Sequence, residues 1–313
     1  MKILVTGSVA FDTIMVFPDR FRNHLLADQL HILNVCFLTP EMRREFGGTA
    51  ANIAYNLRLL GEQPLVMASV GEDIAPYLAR LEKLGIGTAL LKRIPGQFTA
   101  QAFITTDLDD NQITAFHPGA MNFAHENRIG ESLGAGVAII APDGKQGMLE
   151  HAQQCAAHGI PFMFDPGQGL PMFSREELEA LVREATFVAV NDYEGRMLEE
   201  KTGRRLEEIA RHVSALVCTQ GASGSYILAG GQRHDIPCVP ADAVVDPTGC
   251  GDAYRAGLLY GIAHGWDWPR TGRLAAVLGA IKIAQRGAQN HAPSRDEIEA
   301  RFRAAFGASP WQP

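Results

Sequence analysis

The stretch Asp246-Pro247-Thr248-Gly249-Cys250-Gly251-Asp252 stands directly before the apolar run Ala253-Tyr254-Arg255-Ala256-Gly257-Leu258-Leu259-Tyr260-Gly261. Small and apolar residues over about three turns predict a helix buried on most of its surface. Ala243-Val244-Val245 in front of it reads as the end of a strand. Gly249 and Gly251 leave backbone N–H groups unobstructed where the helix starts. Unpaired donors at the positive end of a helix dipole make a site for an anion, most naturally phosphate. Asp252 falls in the first turn, within reach of whatever that anion touches. A phosphate cradle with a carboxylate beside it is a phosphoryl-transfer arrangement.

Working outward, 313 residues and an apolar fraction of 46% allow one α/β unit with a substantial core. A formal charge of −7 argues against nucleic acid or an anionic membrane as a main partner. The cysteines at 36, 155, 218, 238 and 250 are odd in number and form no C-x-x-C pair, as expected of reduced thiols in a cytoplasmic protein. No run approaches the roughly 20 apolar residues of a membrane span. The histidines show no metal spacing.

From the amino end, residues 2–9 read as a buried strand, with short strands at 13–17 and about 29–37. Phe46-Gly47-Gly48 opens a helix that Gly61 stops. Residues 98–106 and 112–116 flank the polar turn Asp107-Leu108-Asp109-Asp110-Asn111, a hairpin signal. Together these short strands predict a second, smaller sheet. From about residue 125 strands alternate with helices, which implies a parallel sheet covered on both faces. Ser174 with Glu177 and Ser294 with Glu297 read as capping boxes, and 271–285 as the penultimate helix. Asp12, Asp165, Asn191, Thr219 and Asp246 each fall at or just past the end of an expected strand. In an open parallel sheet those ends share one edge, where ligands bind.

The central stretch resembles the second signature of the ribokinase-like (PfkB) kinases, D-T-x-G-A-G-D, with Pro247 inserted and Cys250 in place of alanine. Both departures are similar to the nucleoside-phosphorylating branch. The resemblance implies a three-layer αβα sandwich with a mostly parallel sheet, formed by residues 1–313 as one domain. Its β-sheet lid would come from about 12–45 and 96–120. It implies that Asp252 receives the proton of the attacking hydroxyl, while the amides of Gly249, Cys250 and Gly251 hold the transferring group. The helix start is expected to keep the Asp252 pKa near its ordinary value; it could also lower that of the Cys250 thiol, or Cys250 simply fills an alanine-sized space.

Asp12 and Gly47-Gly48-x-x-x-Asn52 resemble the first family signature, so Asp12 and Asn52 would bind vicinal sugar hydroxyls. Asn191-x-x-Glu194 resembles the motif that arranges Mg²⁺ and its waters; any acidic helix start after a strand would also match. Thr219-x-Gly221-x-x-Gly224 resembles the turn lining the ATP phosphates, or is an ordinary turn into a hairpin. Thr248 and Asn290 are further ATP contacts by resemblance, with Gln289 and His291 beside the adenine pocket. K⁺ near the Asp246–Thr248 carbonyls is likewise implied. Phe37, Gln101, Phe103, Phe116 and Met121 could sandwich and read a purine, or form the lid's own core. Arg255, one turn after Asp252, would approach a phosphate or pair with that aspartate.

The expected activity is ATP- and Mg²⁺-dependent phosphorylation of a nucleoside 5′-hydroxyl. The small-molecule substrates would be the partners, with a homodimer through the lid left open. A ribose or fructose kinase is the alternative within the class. A dinucleotide-binding oxidoreductase or nucleotide sensor is the alternative outside it, although Gly7-Ser8-Val9-Ala10-Phe11-Asp12 lacks the G-x-G-x-x-G spacing.

Overall fold

The computed structural model describes residues 1–25, 34–109 and 111–311. In chain order the strands are β1 (Lys2–Thr6), β2 (Ala10–Val16), β3 (Glu41–Gly47), β4 (Leu65–Val70), β5 (Gly87–Arg93), β6 (Ala100–Thr106) and β7 (Gln112–His117). They continue as β8 (Ala135–Ile140), β9 (Phe162–Phe164), β10 (Phe187–Asn191), β11 (Ala215–Thr219), β12 (Ser225–Ala229) and β13 (Gln232–Ile236). The helices are α1 (Thr49–Leu59), α2 (Ala75–Lys83), α3 (Lys145–Ala157), α4 (Arg175–Glu184) and α5 (Asp192–Thr202). After these come α6 (Leu206–Ile209), α7 (Cys250–Ala263), α8 (Trp268–Ile283) and α9 (Arg295–Phe306).

Nine strands form one sheet in the order β13-β12-β11-β10-β9-β8-β1-β4-β5. It is parallel from β11 to β5, and the hairpin strands β12 and β13 close one edge antiparallel. Runs such as Ala-Leu-Val-Cys in β11 are apolar on both faces because helices cover both. One face packs against α1, α2, α7, α8 and α9. The other packs against α3, α4, α5 and α6. The expected αβα sandwich is the observed architecture. Among the described residues no helix is long and apolar enough to cross a membrane.

A second sheet has the order β3-β2-β6-β7, with β2 and β6 parallel and the other pairs antiparallel. Here the sequence reading needs correction. No strand occupies 34–37; the rest of the 29–37 expectation lies largely outside the described residues. The strand is instead Glu41–Gly47, whose charged sequence EMRREFG hides its alternation. β1 ends at Thr6 rather than residue 9, and the chain then crosses into the small sheet. Residues 243–245 are not a strand. Val244 is 81% exposed, and the Val245 and Asp246 amides cap α8 by donating to the Ile283 carbonyl. Asp165, Asn191 and Thr219 do end neighbouring strands, whereas Asp12 lies inside β2 and Asp246 in a loop.

Candidate active site

α7 begins at Cys250, with Gly249 as its cap at φ +79°. A Cβ on Gly249 would come within 2.8 Å of the Ala288 Cβ, so backbone angle and space both require glycine there. A Cβ on Gly251 would meet nothing within 4 Å, so the helix mouth is open on that side. The Cys250 amide donates to the Pro247 carbonyl at 3.1 Å. It is therefore not a free phosphate donor, contrary to the sequence expectation. Among the described residues the amides of Gly249, Gly251 and Asp252 make no hydrogen bond to the protein, which leaves three donors open to an anion. The thiol expectation also fails: burial pushes Cys250 up to about 11.

Asp252 is held from the other signature. Asn52 Nδ2 donates to its Oδ2 at 2.8 Å, and the Asn52 Oδ1 accepts from Gln289 Nε2 at 2.9 Å. Gln289 also donates to the Tyr77 hydroxyl at 2.7 Å, which donates in turn to the Gly47 carbonyl at 2.7 Å. The Gly47–Asn52 segment and Asp252 are thus wired into one polar network. Both polar ends of Asn52 have protein partners, and Gln289 is buried in the network. Tyr77 was not legible as a site residue.

The environment of Asp252 also differs from expectation. Burial raises its carboxyl to about 6, with nearby Asp165 and Asp12 adding to the shift while Asn52 and Arg255 oppose it. Desolvation here outweighs the helix dipole. Burial likewise raises Asp12 to about 6, helped by Glu45 and Asp246. A Cβ on Gly47 would lie 2.4 Å from Asp12 Oδ2, so the glycine makes room for that carboxylate. Gly48, at φ +90°, turns the chain into α1 where a Cβ would meet the Ser8 carbonyl at 2.6 Å.

Arg255, 4% exposed, pairs with Asp165 rather than with Asp252. Its Nε and Nη2 donate to the two oxygens of Asp165 at 3.2 and 3.1 Å, and Nη2 is 3.9 Å from Glu194 Oε2. Asn191 and Glu194 form a capping box at the start of α5. Glu194 Oε2 accepts from the Asn191 amide, which leaves Oε1 without a hydrogen bond among the described residues. Its pKa is raised by burial and by Asp165. A single free carboxylate oxygen fits Mg²⁺, which keeps most of its waters. Thr219 is the register partner of Asn191 on the same sheet edge. Gly221 and Gly224 shape the turn into β12, where the Gln220 amide donates to the Gly224 carbonyl at 2.8 Å.

The small sheet meets the core at Glu45, which accepts from Asn290 Nδ2 at 2.9 Å. Asn290 also lines a groove of about 770 Å³ with Val239, Pro240, Ile281, Gln285 and Pro293, beside the 246–249 loop. Register separates the remaining expected substrate residues. Asp12 pairs with Glu45 and Ala102, and Ala102 with Phe116, so these four share a face. Thr13 pairs with Phe103, and Phe11 with Gln101, which puts Phe103 and Gln101 on the opposite face. Gln101 there donates to Asp73 Oδ2 at 3.0 Å. Phe37 packs with Phe17 and Phe21, and Met121 is half-buried in the turn after β7.

Residues 9–295 match the model of the pfkB family of carbohydrate kinases. The chain belongs to that family. The kinase is therefore a phosphotransferase with an alcohol group as acceptor. It is 31% identical over 306 residues to a nucleoside kinase of Methanocaldococcus jannaschii, covering 96% of each chain. A solved nucleoside kinase of Burkholderia thailandensis in complex with inosine is 51% identical, with a TM-score of 0.90 over 98% of this kinase and 99% of that chain. The same protein in complex with ADP-inosine gives 52% identity and a TM-score of 0.88, over 98% of this kinase and 97% of that chain.

Proposed function

We propose that the kinase transfers the γ-phosphoryl group of ATP to the 5′-hydroxyl of a purine nucleoside, with the small sheet acting as a lid over the acceptor. The observation that carries this reading is the Asn52–Asp252 pair beside the unpartnered amides of Gly249 and Gly251. Asp252 would accept the hydroxyl proton and aim the oxygen, while the amides hold the transferring group in line. A pKa of about 6 leaves Asp252 ionised at neutral pH yet basic enough to take a proton late in the reaction. Asp12 would take the ribose diol and Phe116 the base. The groove beside Asn290 suits the adenine of ATP. Glu194 would hold Mg²⁺ through water, with Asn191 fixing its side chain; the ion, when bound, offsets triphosphate charge. Inosine and ADP-inosine in the complexes of the Burkholderia thailandensis kinase support a nucleoside acceptor.

Steady-state turnover of adenosine, inosine, guanosine, cytidine, ribose and fructose with ATP and Mg²⁺ tests the reading. A purine nucleoside is expected to give the highest kcat/KM. Ribose or fructose exceeding every nucleoside would overturn it.

A further inference from the structure

The loop that leads into the anion site is built around a buried ammonium. Lys282, in the last turn of α8, is 0% exposed. Its Nζ donates to the Asp246 carbonyl at 2.7 Å and to the Gln285 carbonyl at 3.0 Å. The Asp246 carboxylate ties the same two segments together from the other side, accepting from the Thr248 amide at 2.9 Å and the Gly287 amide at 2.8 Å. Burial opposes that carboxylate, but these amides hold it below its ordinary value. Burial also lowers the lysine, and the Asp246 carboxylate works against that. Backbone carbonyls at the negative end of a helix favour a cation.

Carbonyl oxygens converging between residue 246 and the end of α8 are also what a bound K⁺ would require, and the family resemblance implies one near the Asp246–Thr248 carbonyls. The Asp246 carbonyl, however, already has its cation. An inorganic ion placed against it would sit beside a fully buried ammonium and be repelled by it. The donor set does not fit K⁺.

We propose that Lys282 is the built-in cation of this loop: its ammonium replaces a monovalent metal ion, fixes the Asp246–Gly249 turn and makes the kinase independent of K⁺. Lys282 is thus a positioning residue, acting through the loop that presents the Gly249 and Gly251 amides. The activity arm of the test rests on the kinase reading; the melting arm does not.

Wild-type turnover and Tm are compared in KCl, NaCl and choline chloride at equal ionic strength. Turnover within twofold and Tm within about 1 °C across the three salts are expected. Activation by K⁺ of fivefold or more over choline, or a K⁺-specific rise in Tm, would overturn the proposal. Lys282→Met keeps the packing and removes the charge, and is expected to lose at least tenfold in kcat/KM for ATP. Lys282→Ala is expected to recover activity and Tm on adding K⁺, NH₄⁺ or methylammonium. Full activity of Lys282→Met in choline, or a folded Lys282→Ala that no cation restores, would show that the ammonium is not what orders the loop. If neither variant folds, the wild-type salt series still decides.

Discussion

Asp252 sits under two opposing influences: the mouth of α7 favours its charge, and partial enclosure disfavours it. Enclosure wins, and the folded carboxyl titrates near 6 instead of 3.8. For activity, the carboxylate is the working form, so kcat/KM should fall as the pH drops below about 6, read from a pH–rate profile. For stability the sign is reversed. The raised pKa adds stability that is full below about 3.8 and is lost as the pH rises through about 6. Asp252→Asn keeps an acceptor for Asn52 Nδ2 and removes the buried charge. Its turnover should drop by roughly 10²-fold or more with ATP affinity retained. At pH 8 the variant should be about 3 kcal/mol more stable than the parent, a margin that shrinks toward pH 4, as urea melts at the two pH values would show. Near-normal turnover would remove Asp252 from the chemistry.

At the scale of elements, α7 was readable because its small residues have a packing cause. A Cβ on Gly257 would lie 2.5 Å from the Ala275 Cα of α8, and one on Gly261 would lie 2.3 Å from Thr271 Oγ1. The two helices approach backbone to backbone, and beyond Asp252 and Arg255 α7 presents a mostly apolar surface. Gly257→Ala should therefore destabilise the fold by about 1–3 kcal/mol despite its better helix propensity, measured by urea unfolding. A neutral or stabilising result would mean the helices separate at little cost. The start of α8 illustrates what the sequence reading missed. Asp267 caps it by accepting from the Arg270 amide at 2.8 Å, a signal present in Asp267-Trp268-Pro269 but read three residues late. β3 escaped for another reason: four of its seven residues are charged, because the strand lies between solvent and an acid-bearing site. Val244 and Val245 misled in the opposite direction, since their β-propensity is overridden where no neighbouring strand accepts them. Tyr77, Gln289 and Lys282 act through partners roughly 30 to 240 residues apart or through backbone carbonyls, and no local pattern announces such contacts.

Across the whole molecule, the site exists only where the small sheet, α1, α7 and the 285–291 segment meet. That arrangement turns a question about individual aromatics into one about faces. The sequence placed Phe103 and Phe116 in one base-binding group, but the β2–β6–β7 register sends them to opposite sides of the sheet. Phe116, 52% exposed, shares Asp12's face, whereas Phe103, 42% exposed, shares that of Phe11. Partial exposure on the acid-bearing side is what an aromatic awaiting a flat ligand would show; a stacked ring contributes about 0.5–1.5 kcal/mol beyond its buried area. Phe116→Ala should therefore raise the nucleoside KM about tenfold, with the ATP KM and the melting temperature little changed. Phe103→Ala should leave the nucleoside KM within about twofold. Equal losses in the two variants would mean that the sheet does not present its Asp12 face to the acceptor.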